Sequence, residues 1–486
     1  MILPAFLILS VSSWLWPVVI VAYIAAIIAV IYIIVTDNGN PTRSLAWVAV
    51  VVLLPVIGIL LYVFLGHGLK GIRTISRRGR RKLLKQEELT PPPKIRGHLS
   101  PQSCHLIKIG HATSGAPYYP DTSVTLFNDG ESFFRSLIID LEAATSHINM
   151  QYYIFADDNI GRRIADILID KARNGLKVRL MYDYVGCIDV PKDFFSRMAD
   201  AGVEVEPFFK VAFPKFATTL NWRNHRKAVI IDSRIGYIGG MNVADRYING
   251  GDSFGHWRDT SVRFTGPAVA GLQYNFAIDW NFMGGGIISD NVVDEPVDTV
   301  DAVKDVGVQL VTGGPTSRYS GIALTFFRAI AMAEKRVWIQ TPYFLPNSPL
   351  LGVLQSAALS GVDVRIMLPR INDSRLLAYA SRSYITECLG AGIKFYFYEP
   401  GMLHCKVLVI DHEFSTIGSA NFDYRSLEHN FEENIMMYST EMNRLIAESF
   451  EADMARCTKV IARKWYRRPR HLKIIESVSR LLSPIL

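Results

Sequence analysis

Cysteine is scarce in this chain, and charge is missing from its start. Five cysteines (Cys104, Cys187, Cys388, Cys405 and Cys457) are scattered and odd in number, with no CxxC pair. Neither a disulfide framework nor zinc-ligand spacing follows from them. Residues 1 to 35 carry no charged side chain, and roughly 20 apolar residues cross a bilayer as a helix. A secretory signal would need a basic n-region and a shorter apolar core, and this stretch has neither. Acid is absent between Lys70 and Lys85, which hold eight basic side chains. With a net charge of +7 and a pI near 9.0, the candidate partners are an anionic membrane surface or nucleic acid.

Trp14 to Val35 is long enough to span, and a second apolar run covers Ser44 to Leu65 after a polar turn. Two spans with so short a join predict a transmembrane helical hairpin, and the prolines at 17 and 55 are tolerable inside it. The basic run follows the second span, while the loop between the spans offers only Arg43. By the positive-inside rule the body of the protein is expected on the cytoplasmic side.

What is present in duplicate carries the chemistry. HRKAVIIDSRIGYIGGMN runs from His225 to Asn242, and HCKVLVIDHEFSTIGSAN from His404 to Asn421. In both, Lys follows His by two residues, Asp by seven, Gly by fourteen and Asn by seventeen. Four apolar residues between Lys and Asp read as a short buried strand. Alternation points His225 with Lys227 one way, and likewise His404 with Lys406. Cys405 then faces the other way, as a packing residue. An imidazole beside a fixed ammonium suits attack on phosphorus and retention of its oxygens. A lone HxK would be an ordinary solvated edge, whereas two matching copies argue for a site.

The surrounding text alternates helix and strand twice. Helices are expected at 131–145, 160–174 and 192–201, with strands at 147–155, 177–182 and 203–209. The order returns as helices at 319–334, 349–360 and 375–389 and strands at 337–341, 363–368 and 393–398. NGLKVRLMY (Asn174 to Tyr182) answers SGVDVRIML (Ser360 to Leu368), an offset near 186 residues and far too long for a solenoid. Two similar α/β domains, each a sheet flanked by helices, are implied. Pairing about a pseudo-two-fold axis would bring both histidines to one cleft. The organisation reads as a membrane anchor (1–66, spans at about 14–35 and 44–65), a basic juxtamembrane segment and Pro-rich linker (67–120), a first domain (121–300), a second (301–462) and a basic amphipathic tail (463–486). In the tail Leu472, Ile475, Val478 and Leu482 form an apolar face among cations, as in an interfacial helix. An aromatic, acid-free insert at 208–224, absent from the second half, is expected to touch the membrane interface.

The paired motifs resemble the phospholipase D superfamily. The hairpin, the basic exit, QTPYFLP (Gln340 to Pro346) and the stretch from Leu368 to Lys406 resemble its bacterial cardiolipin synthases. The resemblance covers nearly the whole chain. It implies transfer of a phosphatidyl group between two phosphatidylglycerol molecules, giving cardiolipin and glycerol, with no metal and no cofactor. It implies a multi-pass protein of the bacterial cytoplasmic membrane. His225, Lys227, Asp232, His404, Lys406 and Asp411 match the family's catalytic motif, in which such aspartates brace rather than react. One imidazole becomes a phosphatidyl-histidine and the other shuttles protons. The repeats are too alike to decide which, and analogy assigns His225 as nucleophile. Lys227 and Lys406 with Asn242, Asn421 and Ser419 are expected on the phosphoryl oxygens, and Gly240 stands where the pattern usually has a serine. Asp259 and Glu432, 34 and 28 residues after their respective histidines, match the family's orienting acids, with Glu433 competing for the second place.

A membrane-tethered nuclease would use the same His/Lys pairs and suit the basic charge, but the aromatic insert and amphipathic tail suit lipid better. No nucleic-acid partner is therefore expected. A catalytically dead scaffold is disfavoured because every ionisable motif position is filled. Oligomeric state, the use of phosphatidylethanolamine and the exclusion of water are not legible.

Overall fold

The computed structural model describes residues 15–36, 41–54, 57–59, 62, 99–209, 222–286, 288, 297 and 301–483. It divides into an N-terminal unit and a much larger second unit. In the first, helix α1 (Leu15–Thr36) precedes helix α2 (Pro41–Leu53), and Ile34, Val51 and Tyr62 form a small buried cluster. Among the described residues no helix is long and apolar enough to cross a membrane, so the expected hairpin of spans is not shown. Helix α2 stops at 13 residues, about 20 Å at 1.5 Å per residue and short of the ~30 Å hydrocarbon layer. Helix α1, taken over its full 22 residues, carries no charged side chain. The basic run at 70–85, most of the 208–224 insert and the last three residues lie outside the described residues.

The second unit is built on one continuous sheet of 15 strands. Its first half supplies β1 (Tyr119–Phe127), β2 (His147–Tyr152), β3 (Lys177–Asp183), β4 (Glu204–Phe208), β5 (Ala228–Ile231), β6 (Ile235–Gly239) and β8 (Ser261–Thr265), with a short β7 (His256–Arg258) apart from the sheet. The second half supplies β9 (Val303–Gly313), β10 (Arg336–Gln340), β12 (Asp363–Pro369), β13 (Lys394–Tyr398), β15 (Val407–Ile410), β16 (Phe414–Gly418), β18 (Glu432–Tyr438) and β19 (Cys457–Lys459). Shorter β11 (Phe344–Leu345), β14 (Gly401–Leu403) and β17 (Phe422–Asp423) lie outside the main sheet.

From edge to centre the halves run β4-β3-β2-β5-β6-β8-β1 and β13-β12-β10-β15-β16-β18-β9, with β19 added outside β13. The duplication is thus matched strand for strand. The expectation of one sheet per domain needs amending, because β1 and β9 pair antiparallel and fuse both sheets. Helices cover both faces, which is why the motif strands are apolar throughout rather than alternating. Val229 and Ile231 pack in the layer under helices Gly130–Ala143 and Asn159–Arg173. Ala228 and Ile230 pack in a central layer with helices Ala268–Phe282 and Thr440–Met454, shared with Val407 and Val409 of the other half.

The expected helices and strands of both halves are present within a few residues of their expected ends. The stretch 67–120, read as a basic juxtamembrane segment and Pro-rich linker, instead contains helix Pro101–Ser114 and the start of β1. Ser100 caps that helix by accepting from Ser103 N, and Pro101 occupies its first turn, where a missing N–H costs nothing.

Candidate active site

Each motif histidine lies just before its strand and is buried. The chain leading into each histidine pairs with a segment of the opposite half. Asn224 bridges Phe431, and His225 N donates to Phe431 O at 2.9 Å. β14, which ends one residue before His404, runs parallel to β7, which ends one residue before Asp259, and His404 N donates to Arg258 O at 2.7 Å. These two small ladders decide which acid meets which base.

The acids are exchanged. His225 Nδ1 lies 3.0 Å from Glu432 Oε2, and His404 Nδ1 lies 2.7 Å from Asp259 Oδ2. Counting along the chain assigned each acid to the histidine of its own half, and the ladders overrule that. Glu433, the competing candidate, points to the opposite face and accepts from Asn275 Nδ2 at 2.6 Å. Alternation along β18 separates the two glutamates.

Lys227 Nζ donates to its own histidine's carbonyl at 2.5 Å and sits 5.4 Å from the Tyr153 ring. Lys406 Nζ lies 2.8 Å from His404 Nδ1 and 3.1 Å from Nε2. Burial lowers His225, and Lys227 and Lys406 add to that against the opposing Glu432. Burial, then Lys406, then Lys227 and His225 push His404 well down. Both imidazoles therefore feel charge from both halves. Lys227 falls to about 7 because burial strips its water, with Glu432 opposing. Burial lowers Lys406 too, against Asp259. Two starved ammonium groups beside two imidazoles make a receptor for a phosphodiester anion.

The two carboxylates differ. Burial lifts Asp259 to about 6, against Lys406 and a hydrogen bond from Thr260 N at 2.7 Å. Burial also raises Glu432, but His225, Lys227 and the Ser419 hydroxyl outweigh it and leave Glu432 below its ordinary value. Ser419 Oγ donates to Glu432, and Ser419 O lies 3.0 Å from His225 Nδ1. The serine expected on phosphate is therefore engaged with the carboxylate instead. A Cβ on Gly240 would stand 2.1 Å from Asp259 Oδ1, so the first half has no room for a serine at all.

Asp232 and Asp411 are not at the site. The four-residue strands β5 and β15 carry them away from the histidines, roughly 20 Å at 3.3 Å per residue. Asp232 accepts from the backbone of Thr145, Ser146 and His147, and Asp411 from that of Glu334, Lys335 and Arg336. Both adopt positive φ, 54° and 46°, a conformation aspartate tolerates. They tie each motif strand to the start of its neighbour.

Asn242 Oδ1 accepts from Ile154 N, and Nδ2 donates to Tyr247 Oη. Asn421 Oδ1 is buried with no partner. Several neighbours escaped sequence reasoning. The rings of Tyr247 and Trp257 flank His404, and that of Tyr153 flanks His225 at 4.9 Å. Tyr343 donates to Asp373 at 2.7 Å, and Asp373 acts electrostatically on His404. Tyr153 and Tyr343 lie one and three residues past the equivalent strands β2 and β10. Among the described residues no cluster of His, Cys, Asp and Glu could hold a metal ion.

Comparison with known proteins shows the family. Residues 137–253 and 326–454 match the family described as cardiolipin synthase, PLD-like domain, and residues 24–67 match the phospholipase D-nuclease N-terminal family. A cardiolipin synthase of Geobacillus sp. (strain WCH70) is 36% identical over 95% of this chain and 92% of its own length. The major cardiolipin synthase of Bacillus subtilis (strain 168) is 37% identical over 96% and 98%. Among solved structures, phosphatidylserine synthase of Haemophilus influenzae Rd KW20 is similar in fold, with a TM-score of 0.59 at 13% identity over 79% of this chain and 100% of that one.

Proposed function

The chain belongs to the cardiolipin synthase family of phospholipase D-like proteins, and we infer from its site how it joins two phosphatidylglycerol molecules into cardiolipin and glycerol. It is a phosphatidyltransferase. The observation that carries the mechanism is the exchanged pairing of two buried imidazoles with two carboxylates held in different electrostatic states. Ionised Glu432 accepts a hydrogen bond from the Nδ1–H of His225, which leaves the Nε2 lone pair for phosphorus. The P–N bond forms as the bond to glycerol oxygen breaks, and His404, which takes up a proton once the bound phosphodiester anion offsets Lys227 and Lys406, gives that proton to the departing oxygen. A hydroxyl of the second phosphatidylglycerol then loses its proton to His404 and attacks phosphorus as the P–N bond breaks. Lys227 and Lys406, with the second N–H of the Asn242 amide and with Asn421, hold the equatorial oxygens. Asp259, raised toward neutrality, suits a partner whose proton comes and goes. Environments that push two acids apart are a mark of divided acid–base roles.

The site works at a bilayer, and two features support that. Helix α1 carries no charged side chain and exposes Val18, Ile20, Val21, Ile24 and Ile28, an apolar surface suited to lipid. In the C-terminal helix (Arg470–Leu481) the usual amphipathic order is reversed. Glu476 and Ser479 face the protein, with Glu476 paired to Arg468, while Ile474, Ile475, Val478 and Leu481 are exposed. An outward apolar face ringed by Arg467, Arg470 and Lys473 suits anionic lipid.

The test supplies purified full-length protein in mixed micelles with labelled phosphatidylglycerol and follows products by mass. Cardiolipin with equimolar glycerol is expected. Phosphatidic acid as the sole product would make the protein a hydrolase and defeat the reading.

A further inference from the structure

Beside His404, two hydrogen-bond donors have nothing to donate to. Trp257 is 5% exposed, yet its indole Nε1 has no partner, and neither does the buried Nε of Arg246. The two groups touch, with the Arg246 guanidinium 5.1 Å from the Trp257 ring and 5.8 Å from that of Tyr247. Those rings lie 5.7 and 6.1 Å from the His404 ring. The adjacent Asp245 is occupied by Asn159 and Ile160, so it does not neutralise the arginine. Buried donors without acceptors are uncommon and costly. Two in contact mark a place built for an acceptor that the protein does not supply.

The repeat offers an internal reference. Arg425 follows Asn421 by four residues as Arg246 follows Asn242, and Asn430 precedes Glu432 by two as Trp257 precedes Asp259. In the second half Arg425 Nε donates to Asn430 Oδ1 at 3.4 Å, and Asn430 Nδ2 donates to Glu432 Oε1 at 3.2 Å. That arginine supports the carboxylate of its own motif. Tryptophan offers no acceptor, so the first half frees its arginine from the equivalent duty.

We propose that Arg246 and the Trp257 indole N–H bind the phosphodiester of the acceptor lipid, the one that does not react. The proposal rests on phosphatidyl transfer as read above. An acceptor hydroxyl at His404 carries its own phosphate one glycerol unit away, and Arg246 stands one ring beyond His404. A planar guanidinium stacked on an aromatic face keeps its edge for phosphate oxygens. A free phosphate ester would satisfy the same donors as a lipid headgroup.

The experiment gives the full chain a phosphatidylglycerol donor in micelles with three acceptors: phosphatidylglycerol, glycerol 3-phosphate and isotopically labelled glycerol, which lacks phosphate. Arg246→Gln is expected to lower transfer to both phosphate-bearing acceptors relative to glycerol by about tenfold or more. Trp257→Phe, which keeps a ring but removes the N–H, is expected to move the same ratio less, and Arg246→Lys to restore part of it. Equal loss with all three acceptors overturns the assignment. Loss confined to the lipid acceptor also overturns it, placing the contact on chains or bilayer rather than phosphate. A wild-type protein that transfers to none of them defeats the transfer reading instead.

Discussion

Where the second half of the sheet sets Ser419 against Glu432, the first sets bare Gly240 against Asp259. The longer acid reaches a hydroxyl, and the shorter one fills the space that a hydroxyl would need. The same reciprocity recurs one shell out, where Asn430 stands opposite Trp257 and Cys405 opposite Arg226. Arg226 is paired to Asp279 at 2.5 Å, whereas Cys405 packs without charge. Duplication delivered two imidazoles with matching geometry, and the residues behind them diverged until one carboxylate was pushed up and the other down from its ordinary value. That divergence is what the proposed division into a nucleophile and a proton shuttle rests on, although both motifs read alike.

The strongest way to break this comparison is to remove each imidazole in turn. His225→Ala and His404→Ala should each cut cardiolipin formation by more than about 10³-fold, with membrane insertion intact. Only the protein that keeps His225 should become labelled by a phosphodiester with a good leaving group, as intact-mass measurement would reveal. Label on His404 would reverse the assignment.

The exchanged acids come next. Asp259→Asn and Glu432→Gln should each cost about 10²–10⁴-fold in kcat. In double-mutant cycles Asp259→Asn should be strongly non-additive with His404→Ala and nearer additive with His225→Ala. The opposite coupling would mean that each acid serves its own half.

Swapping the supports is gentler. Gly240→Ser should destabilise the fold by about 1–3 kcal/mol by crowding the Asp259 carboxylate. Ser419→Gly should cost about 1–2 kcal/mol through its lost hydrogen bond to Glu432, both read by denaturant unfolding. Equal tolerance of serine at both positions would remove the reciprocity.

The last effect is read as stability against pH. Lys227 is charged in the unfolded chain up to its ordinary pKa near 10.5 but only to about 7 when folded. The folded protein therefore resists a proton that the unfolded one accepts. Lys227→Met should stabilise the ligand-free protein by about 1–3 kcal/mol below pH 7. The gain should shrink as pH rises toward 10.5, while activity is lost. A thermal-shift series across pH checks the sign.

Much was decided by the chain itself. Helix and strand periods gave three helices, three strands and the motif strand of each half, because each apolar run had to be buried, but they left β1, β6, β8, β9, β16, β18 and the helices Ala268–Phe282 and Thr440–Met454 unread. The motif spacing named His225, Lys227, His404 and Lys406 as a set, since extended backbone puts alternate side chains on one side. Sequence distance misled where contact was made between halves. It assigned Asp259 and Glu432 to the wrong partners and grouped Asp232 and Asp411 with residues a full strand length away. Helix Pro101–Ser114 passed unread because the Pro-rich TPPPK before it (Thr90 to Lys94) and the lack of a clear period made the stretch look like linker. Only the tertiary fold could choose the acid–base partners, match Gly240 to Asp259 and leave Arg246 and Trp257 without acceptors. Those outcomes depend on the fused sheet and the ladders β7–β14 and Asn224–Phe431, and no local preference along one strand records what a strand of the other half will bring.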